Sequence, residues 1–301
     1  MTNPLETTVF RPRTAHTTSH WKVRLKSLAA TLVLMWTLPA VGLADIALTF
    51  GAYAADKPTA TVLKYKPFLN FLALRMSERL QEPVTIRMKV ARTYADGIAQ
   101  LAQGDVDFSR FGPASYVAVK AQNPGIQIVT MESKKGQKRF KGVIVVHENS
   151  PYRELSELIG QSFAFGDELS TIGRYLAQAH LLEAGISSDG LSGFEFLGRH
   201  DLVGEAVGSG RFQAGALKES TYKSLVKKGV PIRVLFEFEN VTKPWLAHPD
   251  IPPEVLDAMR QIMLSSENVD IVRKISKNGF LEGTDADYDF VRAAMEKSLN
   301  F

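Results

Sequence analysis

The chain has 301 residues, with 36 Lys/Arg against 32 Asp/Glu and no cysteine. The missing thiol excludes disulfides, thiol catalysis, cysteine-held metal and a lipid-modified cysteine anchor. Five of the 36 basic and one of the 32 acidic residues precede Ala44, which leaves 31 of each and a formal charge of zero, no basis for nucleic-acid binding.

The leader reads first. Lys22, Arg24 and Lys26 precede an uncharged, mostly apolar run at 27–43, which closes on Gly42-Leu43-Ala44. Charge, apolar stretch and small residues in that order make a secretory signal. The run is shorter than the roughly 20 residues of a comfortable membrane span. Residues 1–44 are therefore expected to be a leader cut after Ala44, with the protein exported to the periplasm. A retained membrane anchor is the rival reading.

Beyond it, strand-like and helical runs alternate. Strands are predicted at 46–51, 84–90, 108–111 and 126–131, with helices at 67–80, 96–103 and 114–122 between them. The first helix rests on apolar residues at 68, 71, 72, 76 and 80. A polar, basic stretch at 133–139 reads as a solvated loop. The pattern restarts with strands at 142–147, 162–165, 194–197, 214–217 and 232–236, again with helices between. After Pro244 helices are predicted at 254–264, 269–276 and 287–299. Such alternation predicts an α/β protein with mainly parallel sheets. The breaks near 135 and 240 predict two lobes, the first from 45–140 and 240–301, the second from 141–239.

Ser170-Thr171-Ile172-Gly173 is the most informative stretch, at a strand-to-helix junction. The first N–H groups of a helix have no internal acceptor and sit at its positive end, so they suit an anion. Hydroxyls add donors. The same residues also suit a plain helix N-cap. The Gly112-Pro113 turn follows a strand whose C-terminal end should face a crevice. Tyr116 beside it either lines that crevice or packs. Arg110, inside an apolar run, either pairs with an acid such as Asp107 or meets a bound anion. His200 stands at another strand-to-helix junction, able to donate to an oxyanion. Asp285, Asp287, Asp289 and Glu296 have part of a calcium-loop spacing, but Phe290 stands where that loop needs glycine, and acids at a helix start explain them better. No nucleophile elbow, P-loop, dinucleotide fingerprint or metal spacing is present, so no catalytic residue, cofactor or metal is expected.

Landmarks in order from Phe50-Gly51 to Asp287-Tyr288 give the chain a resemblance to the periplasmic phosphonate/phosphite/phosphate-binding proteins of ABC importers. They include Tyr94-Ala95, Phe111 to Tyr116, Gly142 to Val146, Phe165-Gly166-Asp167 with Ser170 to Gly173, Gly198 to Asp201, Ala214-Gly215-Ala216 and Pro249 to Glu254. The resemblance implies a two-lobed type II binding-protein fold with its ligand in the cleft between lobes. It implies that Ser170, Thr171, the backbone N–H groups of Ile172 and Gly173, Tyr94 and His200 hold a small phosphorus oxyanion. It further implies a monomeric receptor that delivers its ligand to an inner-membrane permease and has no catalytic role. A receptor of the same fold that feeds a sensor kinase or another transporter with a different small anion is the alternative. Three positions depart from the family pattern. Phe140 replaces a tyrosine, and Ser220 and Lys243 fall where aminoalkylphosphonate binders place acids, although Glu219 adjoins the first. A lysine there repels an ammonium, so a ligand without a cationic tail is expected.

Overall fold

The computed structural model describes residues 45–53, 58–266 and 269–301; the leader and its signal-peptide reading lie outside them. In chain order the elements are β1 (Ile46–Tyr53), α1 (Pro58–Leu80), β2 (Val84–Ala91), α2 (Tyr94–Ala102), β3 (Phe108–Arg110), α3 (Pro113–Gln122) and β4 (Gln127–Glu132). They continue with β5 (Arg139–His147), β6 (Ser162–Phe165), a π-helical turn at Thr171–Leu176 that runs into α4 (Ala177–Glu183), β7 (Gly193–Phe196), α5 (His200–Gly208), β8 (Ala214–Lys218) and α6 (Glu219–Lys227). The chain then forms β9 (Ile232–Val241), β10 (Pro244–Ala247), α7 (Pro253–Ser265), α8 (Asp270–Ile275), β11 (Phe280–Leu281) and α9 (Asp289–Lys297).

These strands form two sheets, in the orders β11-β4-β10-β3-β1-β2 and β7-β6-β8-β5-β9. The sheets are mixed, not mainly parallel. In the first, β1 runs parallel to β2 and β3, whereas β10 is antiparallel to β3 and β4. In the second, β6 is parallel to β7 and β8, whereas β5 is antiparallel to β8 and β9. The reason is where the chain crosses. It passes from the first sheet to the second between β4 and β5, and back between β9 and β10. The strands that begin at these crossings, β5 and β10, run against neighbours whose C-terminal ends point to the same place.

Each sheet is covered on both faces. In β5, Ile144 and Val146 face one apolar cluster with Phe163, Phe165 and Leu176, while Val143 and Val145 face another with Val203, Val207 and Leu217. That is the two-residue period of a strand buried on both sides. On α1, Tyr65, Phe68, Leu69, Leu72 and Met76 form the buried stripe. Its helix starts nine residues before the predicted position and runs through Pro67. Proline there removes one internal hydrogen bond, and the packing of the stripe outweighs that loss. The acids near the C-terminus serve helix entry: Asp287 accepts from the Thr284 backbone N–H at 2.8 Å and from Lys138 at 2.8 Å.

The strand β10, absent from the sequence reading, is the centre of the first sheet. Trp245 is fully buried, with Phe50 at 5.2 Å, Phe68 at 5.1 Å and Phe280 at 5.9 Å between ring centroids. Trp245→Ala is expected to cost about 3–5 kcal/mol of stability, read as a lower urea midpoint; a midpoint within about 1 kcal/mol of wild type would refute this account of the core.

Candidate functional site

The C-terminal ends of β1, β3, β6 and β8 deliver Tyr53, Arg110, the Ser170–Thr171 junction and Lys218 to one place. The starts of α2, α5 and β5 add Tyr94, His200 and Phe140. Asn240 near the end of β9 and Lys243 in the returning link complete a cavity of about 40 Å³. At about 10–15 Å³ for each water centre, that is room for roughly three waters.

The junction performs its helix-capping role. Ser170 Oγ accepts the Gly173 N–H at 3.0 Å, and the Ser170 carbonyl accepts from Arg174 at 3.0 Å and Tyr175 at 3.2 Å. The helix therefore opens on a wide turn of the kind often found at functional sites. Ser170 and Thr171 are both buried. Thr171 Oγ1 accepts the Ala114 backbone N–H at 2.8 Å, a hydrogen bond that ties the start of α3 beside the first sheet to a turn of the second. Capping and bridging use oxygen lone pairs, so both hydroxyl protons stay available to an acceptor. Thr171 and Ile172 occupy the first helical positions, whose N–H groups have no acceptor inside the helix.

Tyr53 anchors the opposite wall. Its hydroxyl accepts the Gly112 N–H at 2.7 Å and lies 2.8 Å from Ser115 Oγ. Its ring stacks on Tyr94 at 3.9 Å. Burial pushes the Tyr53 phenol up to about 12, so it stays protonated. Arg110 donates through Nε and Nη2 to the two Glu132 oxygens, at 2.7 and 2.8 Å. Burial alone would raise the Glu132 carboxyl, but Arg110 outweighs it and holds the group below the usual range. Burial lowers the basicity of Lys243 strongly, and Arg110 and Lys218 lower it further. Burial does the same to His200, helped by Lys218 and Lys243, so the imidazole is neutral at pH 7. Two buried polar atoms on the cavity wall have no hydrogen-bond partner among the described residues, His200 Nδ1 and Asn240 Oδ1.

Of the predicted residues, Tyr94, Arg110, Phe140, Ser170, Thr171, Ile172, His200 and Lys243 line this cavity. Three do not. The Gly173 N–H is taken by its cap, and the glycine serves packing: a Cβ there would stand 2.8 Å from Gly166 Cα. Tyr116 packs on Tyr288 with ring centroids 4.7 Å apart, and its hydroxyl donates to Asp285 at 2.5 Å. Glu219 turns to Lys134 at 3.1 Å and to Lys223. Ser220, its neighbour, lines the larger cavity that adjoins the first. The partner offered for Arg110 was also wrong: Asp107 accepts the Thr49 N–H at 2.6 Å instead. The sequence reading missed Tyr53, Asn240 and Lys218. Each stands at a strand end, which is where the crevice of an open sheet lies.

The model of a family described as ABC transporter, phosphonate, periplasmic substrate-binding protein matches residues 50–288. The chain belongs to this family. "Probable ABC transporter phosphite binding protein PhnD1" of Prochlorococcus marinus (strain MIT 9301) is 28% identical over 166 residues, 52% of this chain and 54% of that one, so the match spans about half of that relative. "Phosphate-import protein PhnD" of Mycolicibacterium smegmatis is 24% identical over 279 residues, 81% of this chain and 84% of that one. The solved structure of the Prochlorococcus PhnD1 in complex with methylphosphonate superposes with a TM-score of 0.73 at 22% identity, over 85% of this chain and 99% of that one. The fold is that of type II periplasmic binding proteins. Members of the family are the substrate-binding components of importers, and the periplasm is their place of work.

Two outcomes test this geometry. Gly173→Ala forces a methyl against Gly166 backbone and should cost about 1–3 kcal/mol in urea denaturation; an unchanged midpoint would remove the packing explanation. The second concerns pH. The folded protein holds His200 below its unfolded value of about 6.5. Between those two values the unfolded chain binds more protons, so stability rises with pH through that window and is flat above about 6.5. His200→Asn should remove part of this slope in urea midpoints from pH 5 to 7.5 without ligand; an identical slope would mean that the folded imidazole titrates normally.

Proposed function

We propose that this protein is the periplasmic receptor of an ABC importer, and that it captures a small phosphorus oxyanion in the 40 Å³ cavity. The observation that carries the reading is the convergence of donors on that space. The hydroxyls of Ser170 and Thr171 and the N–H groups of Thr171 and Ile172 meet Tyr94, Asn240 and Lys243, and no acid lines the space among the described residues. Phosphoryl oxygens accept several hydrogen bonds at once, and charge-assisted bonds from fixed donors are the strong ones. Neutral His200, with its free Nδ1, accepts from a protonated oxyanion or takes up a proton with a dianion. The relatives' ligands, phosphite, phosphate and methylphosphonate, are of this chemical class. Lys218 and Lys243 on the wall disfavour a ligand with a cationic tail.

Export by the N-terminal signal, action as a monomer, and delivery to an inner-membrane permease without chemistry complete the reading. Binding to the folded state alone raises apparent stability. Phosphate, phosphite or methylphosphonate should therefore raise the melting temperature in a thermal-shift screen, and silence from all three would sink the reading. Thr171→Val should weaken the bound oxyanion by about 1.5–3 kcal/mol by calorimetry, while Thr171→Ser keeps the hydroxyl and most of the affinity. Equal affinity of the Val variant and wild type would leave Thr171 as a bridge to Ala114 only.

A further inference from the structure

The small cavity opens into a second one of about 630 Å³, and Arg110, Phe140, Lys218 and Lys243 line both. Lys64, Lys134, Lys135 and Lys277 add to the wall of the larger space. Among the described residues, seven cations thus face a single acid, Glu132. With 31 basic and 31 acidic residues from Asp45 onward, this excess comes from placement and not from composition.

The one acid is spent. Both Glu132 oxygens are held by Arg110. Lys134 finds Glu219, which lies outside the lining of the cavity. Lys243 makes no hydrogen bond or ion pair through its ammonium among the described residues, although it is half-buried between Arg110 and Lys218. Ser220 contributes a hydroxyl to the same wall, and Thr242 another whose oxygen is buried without a partner. A cleft lined by one sign of charge concentrates ions of the other sign. A ligand filling only the small cavity would not reach Lys135 and Lys277, which line the larger space and not the small one.

We propose that the larger cavity receives a second anionic group of the ligand, so that the protein selects phosphorus oxyanions that carry a further oxyanion, as phosphonocarboxylates do. The proposal rests on the oxyanion reading of the small cavity. Lys243, which borders both spaces, sets the preference by touching the head and the second group together.

Calorimetric titration of the protein with methylphosphonate, propylphosphonate, 2-aminoethylphosphonate, phosphonoacetate and 3-phosphonopropionate tests it. The expected result is that one of the two carboxylated ligands binds at least about tenfold tighter than propylphosphonate, with 2-aminoethylphosphonate weakest, and that the preference shrinks as salt is raised. In Lys243→Gln the ratio should fall below about threefold. The double variant Lys135→Gln/Lys277→Gln, at exposed positions that leave folding intact, should lower the same ratio. Methylphosphonate binding with no preference for either carboxylated ligand overturns this inference and leaves the receptor reading standing. A preference that survives in both variants overturns the assignment to this cavity. Failure of every phosphorus ligand, phosphate included, overturns both.

Discussion

A cation in a partly dry cleft must find an opposing charge, and here the chain supplies too few. Arg110 has Glu132, bidentate and mostly shielded from solvent with it. Such a pair is costly to break, because either partner alone would be an uncompensated buried charge. Lys243 sits beside that pair and draws only on the charge that Arg110 already consumes. Burial first, and then this excess of positive charge, makes the ammonium easier to deprotonate than a free lysine and holds His200 neutral nearby. The excess also fixes the sign of what the site accepts. Stability is given up locally so that an anion restores it on binding, a trade common at functional sites.

At the Ser170-Thr171 junction one segment serves structure and, on the proposed reading, binding as well. A cap consumes lone pairs and leaves the hydroxyl proton, whereas an oxyanion needs protons and offers lone pairs. The two roles are complementary and not exclusive. Thr171 adds the hydrogen bond to the Ala114 N–H, so the same segment also links the two walls of the cavity. Gly173 has a different task. It lets the helix approach Gly166, whose N–H donates to the Gly173 carbonyl at 2.8 Å, and that close packing aims the preceding hydroxyls at the cavity.

Much of the fold was legible because apolar runs bounded by polar or turn residues mark most strands. Residues 162–165 were read with the observed ends, and the helices at the C-terminus within a few residues. β10 was not, since it opens on Pro244, a residue that argues against a strand. Its antiparallel insertion is a tertiary fact, and with it went the expectation of mainly parallel sheets. The site divides in the same way. Junction residues such as Ser170, Thr171 and His200 announce themselves by local chemistry at helix starts. Tyr53, Asn240 and Lys218 lie at strand ends whose importance emerges only once the sheets face each other. The partner of Arg110 could not be read locally either, because Glu132 lies on a strand separated from β3 by the inserted β10.

The same crossings that make the sheets mixed also place the charge. The link from β4 to β5 carries Lys134 and Lys135, and the link from β9 to β10 carries Thr242 and Lys243; all four line the larger cavity. Chain segments that connect two packed halves are the natural places for backbone rotation when such halves close. Like charges on both links resist their approach, and an anion between them removes the resistance. On the proposed reading, ligand charge would act on the very segments that join the sheets, coupling selectivity for charge to closure. On the proposed reading a neutral residue at 243 would relax both, which makes Lys243 the position to test.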